Sequence, residues 1–301
     1  MSQLLHVFIN VTLPVFGIVA LGYLLGARLQ LQARTLTRVA YYVFVPAFIF
    51  KAIGGAELPL SSTIKMLTFI VLVHLLTVLA AAGIGRALDR PKVMIAAFVM
   101  IASFGNVGNY GLAMIHFHLG EAAIAPSTIY FVAVTISAFI ICVGAAGWAR
   151  GGRRGAFWGL LKTPALWAVV PALAVSQGGI EVPLMLSRMI GLLADAMIPV
   201  MLFSLGLQLL EQKQVMLSTD VWLASGIRLL LAPALAWGLS IPFHLGHVEA
   251  VSGILQSSMP TAVLVAIIAK ENDIIPSFVM SVVLVSTLAS LITLTFLMVI
   301  L

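Results

Sequence analysis

The stretch Ile95–His116, IAAFVMIASFGNVGNYGLAMIH, has apolar flanks long enough to cross most of a bilayer. Its middle, Gly105-Asn106-Val107-Gly108-Asn109-Tyr110-Gly111, is poor material for an uninterrupted lipid-facing helix. Closely spaced glycines weaken a helix, and asparagine amides find no partner in hydrocarbon. Broken backbone at membrane depth survives only inside protein or beside a water-filled cavity. Discontinuous helices of this kind form the midplane sites of many secondary transporters. A glycine-rich helix contact with two satisfied asparagines is the alternative that this segment alone leaves open.

The wider composition points the same way. Of 301 residues, 62% are apolar and 9% charged, which is a membrane composition rather than a soluble core. The formal charge of +6 does not call for nucleic acid, because the basic residues fall between apolar windows, where membrane orientation accounts for them. A lone Cys142 excludes an intrachain disulfide and a cysteine-based metal cluster. The N-terminal window lacks a basic n-region and a small-residue cleavage pattern, so it reads as a retained span.

Hydropathy predicts ten spans, at 5–27, 36–54, 64–84, 93–116, 122–146, 162–178, 187–209, 220–242, 247–269 and 275–299, and hence an all-α polytopic membrane protein. With ten spans, Arg28, Arg34, Arg38, Arg86, Arg90, Lys92, Arg150, Arg153, Arg154, Lys162, Lys213 and Lys270 fall on one side. Only Lys51, Lys65 and Arg188 fall on the other, with Arg228 inside a span. The positive-inside rule makes the richer side cytoplasmic and turns both termini outward. The basic connection 149–161 then divides the chain into repeats 1–148 and 162–301, with membrane lipid as its expected neighbour.

The two halves share short patterns in the same order. Thr12-Leu13-Pro14 resembles Lys162-Thr163-Pro164, and Val45-Pro46-Ala47-Phe48 resembles Ile198-Pro199-Val200-Met201. Pro14, Pro46, Pro164 and Pro199 are therefore candidate helix breaks. Five spans is an odd number, so the second copy enters inverted. Inversion predicts a polar, broken counterpart to 95–116 in the ninth span, and Gln256-Ser257-Ser258-Met259-Pro260-Thr261-Ala262 supplies one. Crossing the two broken helices would bring half-helix N-termini together, where free amides favour an anionic group.

Phe104–Leu112, Tyr42–Ala47, Asp195–Pro199 with Phe203-Ser204-Leu205-Gly206, and Met259–Ala262 resemble, in order and over essentially the whole chain, the auxin efflux carrier family and its short bacterial members. The resemblance implies two inverted five-helix repeats with crossed fourth and ninth helices, as in the bile-acid/sodium symporter architecture. It also implies transport of a small organic anion, auxin-like or malate- or malonate-like. Asn106 and Asn109 match the first crossover and Pro260 the second. Many members carry an asparagine a few positions beyond that proline, where this chain has Ala262-Val263-Leu264-Val265-Ala266.

The expected substrate-binding set is Gly105, Asn106, Gly108, Asn109, Tyr110, Gln256, Ser257, Pro260, Thr261 and Arg228. An arginine within a span faces protein or water, so Arg228 reads either as attraction for an anion or as structure. Lys51 and Asp195 are candidates for an ion pair, a gate or a coupling site, and His74 and His116 for proton coupling. No metal ligand set, nucleotide loop or hydrolytic constellation is present, so neither a cofactor nor enzyme activity is expected. The expectation is a secondary carrier of the cytoplasmic membrane, coupled to a proton or sodium ion if coupled at all, with a homodimer left open. An organic-anion channel and a non-transport membrane sensor or structural protein are the rivals.

Overall fold

In the computed structural model, residues 2–55, 59–150, 164–178, 180–210 and 215–301 are described. Regular structure among them is helical, and a single isolated bridge joins Gly105 to Thr261. The helices are α1 (Gln3–Leu29), α2 (Ala33–Gly54), α3 (Leu60–Ala87), α4 (Lys92–Ser103), α5 (Leu112–Leu119) and α6 (Glu121–Arg150). After the connection come α7 (Pro164–Gly178), α8 (Leu184–Leu210), α9 (Thr219–Phe243), α10 (His247–Ser257), α11 (Val263–Glu271) and α12 (Pro276–Ile300). The connection 151–163, with its basic cluster and the Lys162-Thr163 part of the repeat pattern, lies outside the described residues.

Seven of these helices are long and apolar enough to cross a membrane alone: α1, α2, α3, α6, α8, α9 and α12. This is fewer than the ten windows read from hydropathy, and for the fourth and ninth windows the reason is geometric. At about 1.5 Å per residue, a crossing of about 30 Å takes about 20 residues. The fourth window is split into helices of 12 and 8 residues, and the ninth into 11 and 9. Hydropathy averages across such a break, so the window remains apolar while the helix does not continue. The sixth window contributes the 15 described residues of α7.

Proline acts less uniformly than the sequence suggested. Pro14 and Pro46 do not break their helices. Each follows a single widened turn, Phe8–Thr12 or Ala40–Phe44, after which the helix resumes. Proline cannot donate to the preceding turn and its ring crowds that turn; a widened turn relieves both problems without ending the helix. The same device, Ile227–Leu231, precedes Pro233 in α9. Pro199 does lie beside an interruption, because α8 turns at Ala196 between Leu184–Asp195 and Met197–Leu210. Pro164 is the first described residue of α7.

Small residues allow the closest packing. A Cβ on Gly206 would fall 2.0 Å from the Val19 carbonyl oxygen, and one on Gly22 would fall 2.1 Å from that of Phe203. The backbones of α1 and α8 thus meet directly, an arrangement that gains dispersion energy where lipid offers no hydrophobic drive between helices. The buried apolar residues form two clusters. One gathers α4, α11 and the early part of α12; the other gathers α1, α2, α5, α8, α10 and the end of α12, and α3, α6 and α9 run through both. The breaks 104–111 and 258–262 lie where the two clusters meet.

Candidate functional site

The two breaks pair with each other. The Asn106 N–H donates to the Pro260 carbonyl at 2.6 Å, and the Ala262 N–H donates to the Phe104 carbonyl at 2.9 Å. Gly105 stands opposite Thr261 in this short antiparallel bridge. Backbone groups freed by one break therefore satisfy those freed by the other, which meets the demand that no backbone dipole be left bare in an apolar interior. From α12, Ser286 Oγ accepts the Thr261 N–H at 3.1 Å.

Beyond the bridge each chain restarts as a helix. The Asn106 carbonyl accepts from the N–H groups of Tyr110 and Gly111, so those of Val107, Gly108 and Asn109 precede the first intrahelical bond. In α11 the Val265 N–H bonds the Ala262 carbonyl, and those of Val263 and Leu264 precede it. A cavity of about 340 Å³ opens on both restarts, lined by Gly105, Asn106, Val107, Gly108 and Asn109 and by Ala262, Val263, Leu264 and Ile267. α2 adds Thr37, Arg38, Tyr41 and Val45; α6 adds Phe131, Thr135, Ile136 and Phe139; α8 adds Met201 and Gln208. Asn106 is 4% exposed, and its Nδ2 donor has no partner among the described residues. A buried amide donor beside two sets of free N–H groups suits an acceptor carrying negative charge.

Four of the expected binding residues, Gly105, Asn106, Gly108 and Asn109, line this cavity. Tyr110 does not. It is fully buried, stands edge-on to Phe16 with ring centroids 5.4 Å apart, and has its hydroxyl 3.5 Å from Ser290 Oγ. Gln256 donates to the Ser127 carbonyl, and Ser257 to the Gly253 carbonyl of its own helix. Pro260 and Thr261 are consumed in the bridge, and they too lie off the cavity wall.

Arg228 lies behind the bridge, 1% exposed. Its Nε donates to the Met259 carbonyl at 2.8 Å and its Nη1 to the Ala102 carbonyl at 2.9 Å; Nη2 lies 3.5 Å from the Gln256 carbonyl. It therefore caps the carbonyl ends of both α4 and α10 and is absent from the cavity wall. His74 joins it, with Nε2 2.7 Å from the Ser103 carbonyl and Nδ1 3.1 Å from the Ile70 carbonyl.

A second cavity, of about 570 Å³, lies at the other ends of α2, α6 and α8. Lys51 Nζ and Asp195 Oδ1 pair at 2.5 Å on its wall, and His116 Nε2 and Glu121 Oε1 at 3.1 Å. Along α2 the first cavity takes Thr37 to Val45 and the second takes Phe48 to Ala52, with Gly55 just past the helix end. The sequence reading missed Thr37, Arg38, Thr135 and Gln208; Tyr41, which reads from sequence as a packing residue or a lining one, is on the wall. Arg38 had been read as a topology signal, and Gln208 donates to Thr37 Oγ1 at 2.9 Å across a helix pair that sequence does not reveal.

The chain is similar to known membrane transport proteins over most of its length. A family described as "Membrane transport protein" matches residues 7–147 and 154–298. An "Uncharacterized transporter" of Methanothermobacter thermautotrophicus is 29% identical over 296 residues, covering 94% of each chain. A "Putative malonate transporter" of Rhizobium meliloti is 25% identical over 299 residues, covering 95% of this chain and 93% of the relative. A "Probable auxin efflux carrier component 1b" of Oryza sativa subsp. japonica is 29% identical over 138 residues, 44% of this chain and 25% of its own.

Proposed function

We propose, from the premise that this chain belongs to the membrane transport protein family that includes the auxin efflux carriers, that it is a secondary active carrier of a small organic anion. The observation that carries the proposal is the paired breaks, which set the Asn106 amide and two half-helix N-termini on one cavity wall. Asn106 and Asn109 would hold a carboxylate by amide hydrogen bonds, the free N–H groups would stabilise its charge, and the apolar walls would take its carbon skeleton. Arg38, the charged residue among those lining the cavity, would attract the anion at the entrance. A mono- or dicarboxylate fits this chemistry, and the relative named for malonate makes that dicarboxylate one to test.

The full arrangement in this reading is ten crossings in two inverted five-helix repeats, with α4/α5 and α10/α11 as discontinuous fourth and ninth members. The distribution of Lys and Arg orients it in a cytoplasmic membrane with both termini outside. On that orientation the cavity at Arg38 opens inward and the cavity at Lys51–Asp195 opens outward. Two cavities at opposite ends of α2, α6 and α8 suit alternating access better than a continuous pore. Lys51–Asp195 would then act as an outer gate, and a proton or sodium ion remains the candidate driving ion.

Uptake into proteoliposomes, screened over mono- and dicarboxylates with imposed sodium and proton gradients, tests the proposal. Saturable uptake with counterflow is expected. Flux linear in concentration without counterflow would indicate a channel, and binding without any flux would indicate a sensor.

A further inference from the structure

We infer that Arg228 is a positioning residue whose charge makes the crossover prefer anions, although the guanidinium does not touch the solute. The inference rests on the carrier reading above and explains how the site acquires its sign. Four helix ends meet at the bridge. Each carries about half an elementary charge, positive at an N-terminus and negative at a C-terminus. The restarts at Val107 and Val263 bring two positive ends to the cavity, while the ends of α4 and α10 bring two negative ends to its back. Alone, the two negative ends would cancel part of the field that the two positive ends set at the solute.

Arg228 removes the cancellation. Its donors reach carbonyls from both negative ends, Ala102 on α4 and Gln256 and Met259 at the end of α10. A single positive charge matches the sum of two half charges. The ends facing the cavity are then left unopposed. No ion pair among the described residues includes Arg228, so no carboxylate offsets it. The guanidinium also lies directly behind the cavity wall: a Cβ on Gly105, which lines the cavity, would fall 2.0 Å from Nη2. One thickness of backbone separates charge from solute.

The test uses the full-length protein in proteoliposomes and compares two competitors of uptake, malonate and malonamide, which differ in charge far more than in size. In Arg228→Gln the inhibition constant for malonate should weaken by about tenfold, the scale Coulomb's law gives for a unit charge about 10 Å away in partly screened protein. The constant for malonamide should hold. Arg228→Lys should restore much of the malonate preference because it keeps the charge, although it lacks the fork that reaches several carbonyls. Thr77→Asp is the second route: Thr77 is buried and shares the small space that holds Arg228, His74 and Ser257, so a carboxylate there cancels the charge without removing the guanidinium.

Loss of malonate preference in Thr77→Asp, even where Arg228→Gln fails to reach the membrane, supports the inference. Equal weakening of both competitors in Arg228→Gln without rescue by lysine, or an unchanged preference in Thr77→Asp, would overturn it. A wild-type protein with no saturable uptake of any carboxylate would instead overturn the carrier reading, and this inference with it.

Discussion

The two breaks look alike in composition and differ in what they leave unfinished. In the second, Ser257 and Ser258 donate back to the Gly253 and Ile254 carbonyls of their own helix, Gln256 donates to Ser127, and Thr261 is paired along its backbone, while Gln256 Oε1 and Thr261 Oγ1 keep no partner among the described residues. In the first, Asn106 keeps a buried amide donor without a partner among the described residues, and three N–H groups precede the first helical bond. Polar residues in a membrane helix thus serve two ends. Hydroxyls that bond back onto the helix repair a break, whereas an amide on a restarting helix stays available to a ligand. We read the first break, with its free amide donor, as the main chemical wall of the site, and the Ser257–Thr261 stretch of the second, which lies off the cavity, as its brace.

Gly105→Ala should produce the largest effect, because it damages wall and brace together. Its Cβ would meet Arg228 Nη2 at 2.0 Å and Cζ at 2.9 Å, and the arginine is held by carbonyls on the far side. Overpacking of this kind costs about 3 kcal/mol. The yield of folded protein from membranes, followed by size-exclusion chromatography, should fall sharply; an unchanged yield and melting temperature would mean that the bridge is looser than described.

Asn106→Ala should divide binding from folding. Losing a hydrogen bond to a charged acceptor costs about 1.5–3 kcal/mol, or about 10- to 100-fold in the apparent constant for the anion. Abundance should stay normal, since the donor supports no other group. Ser258→Ala in the brace should leave the same constant within about twofold, because its hydroxyl only returns to the helix carbonyl. Comparable losses in both variants would erase the distinction between wall and brace.

The sequence carried this distinction only partly. Glycine and asparagine inside an apolar window announced the first break, and the expectation of an inverted repeat led to the second. What sequence did not carry was rotation. A widened turn at Val107–Gly111 changes which way each following side chain faces, and Tyr110 turns toward Phe16 instead of the cavity. Arg38 was legible only as a charge at a helix end, because its neighbours on the cavity wall come from distant parts of the chain. Arg228 was visible as an anomaly, but its partners are backbone carbonyls, which leave no trace in residue identity. The fourth and ninth apolar windows, which yield no helix able to cross alone, have the same origin, since averaging conceals a break.

Smaller effects sharpen the comparison further. Lys51→Met removes an ion pair whose side chains are 51% and 68% exposed, so stability should change by no more than about 1 kcal/mol. If the pair gates the outer cavity, uptake rates should change while the melting temperature holds within a few degrees. Thr261→Val should do least. Its Oγ1 is buried without a partner among the described residues, so removing the hydroxyl should leave stability unchanged or raise it by about 1 kcal/mol at most, with the melting temperature unchanged or slightly higher. A marked loss of stability would show that this hydroxyl has a partner in the membrane.

Thiol labelling tests the division between wall and brace most directly. Cys142 is buried and is replaced by serine to give a silent background. Asn109→Cys and Ser257→Cys are then treated with a small membrane-impermeant thiol reagent, with and without a transported anion, in vesicles of both orientations. The account predicts that residue 109 reacts from the side of Arg38, that the anion slows its reaction, and that residue 257 stays unreactive. Equal labelling of both positions, or an inert residue 109 beside a reactive residue 257, would contradict it.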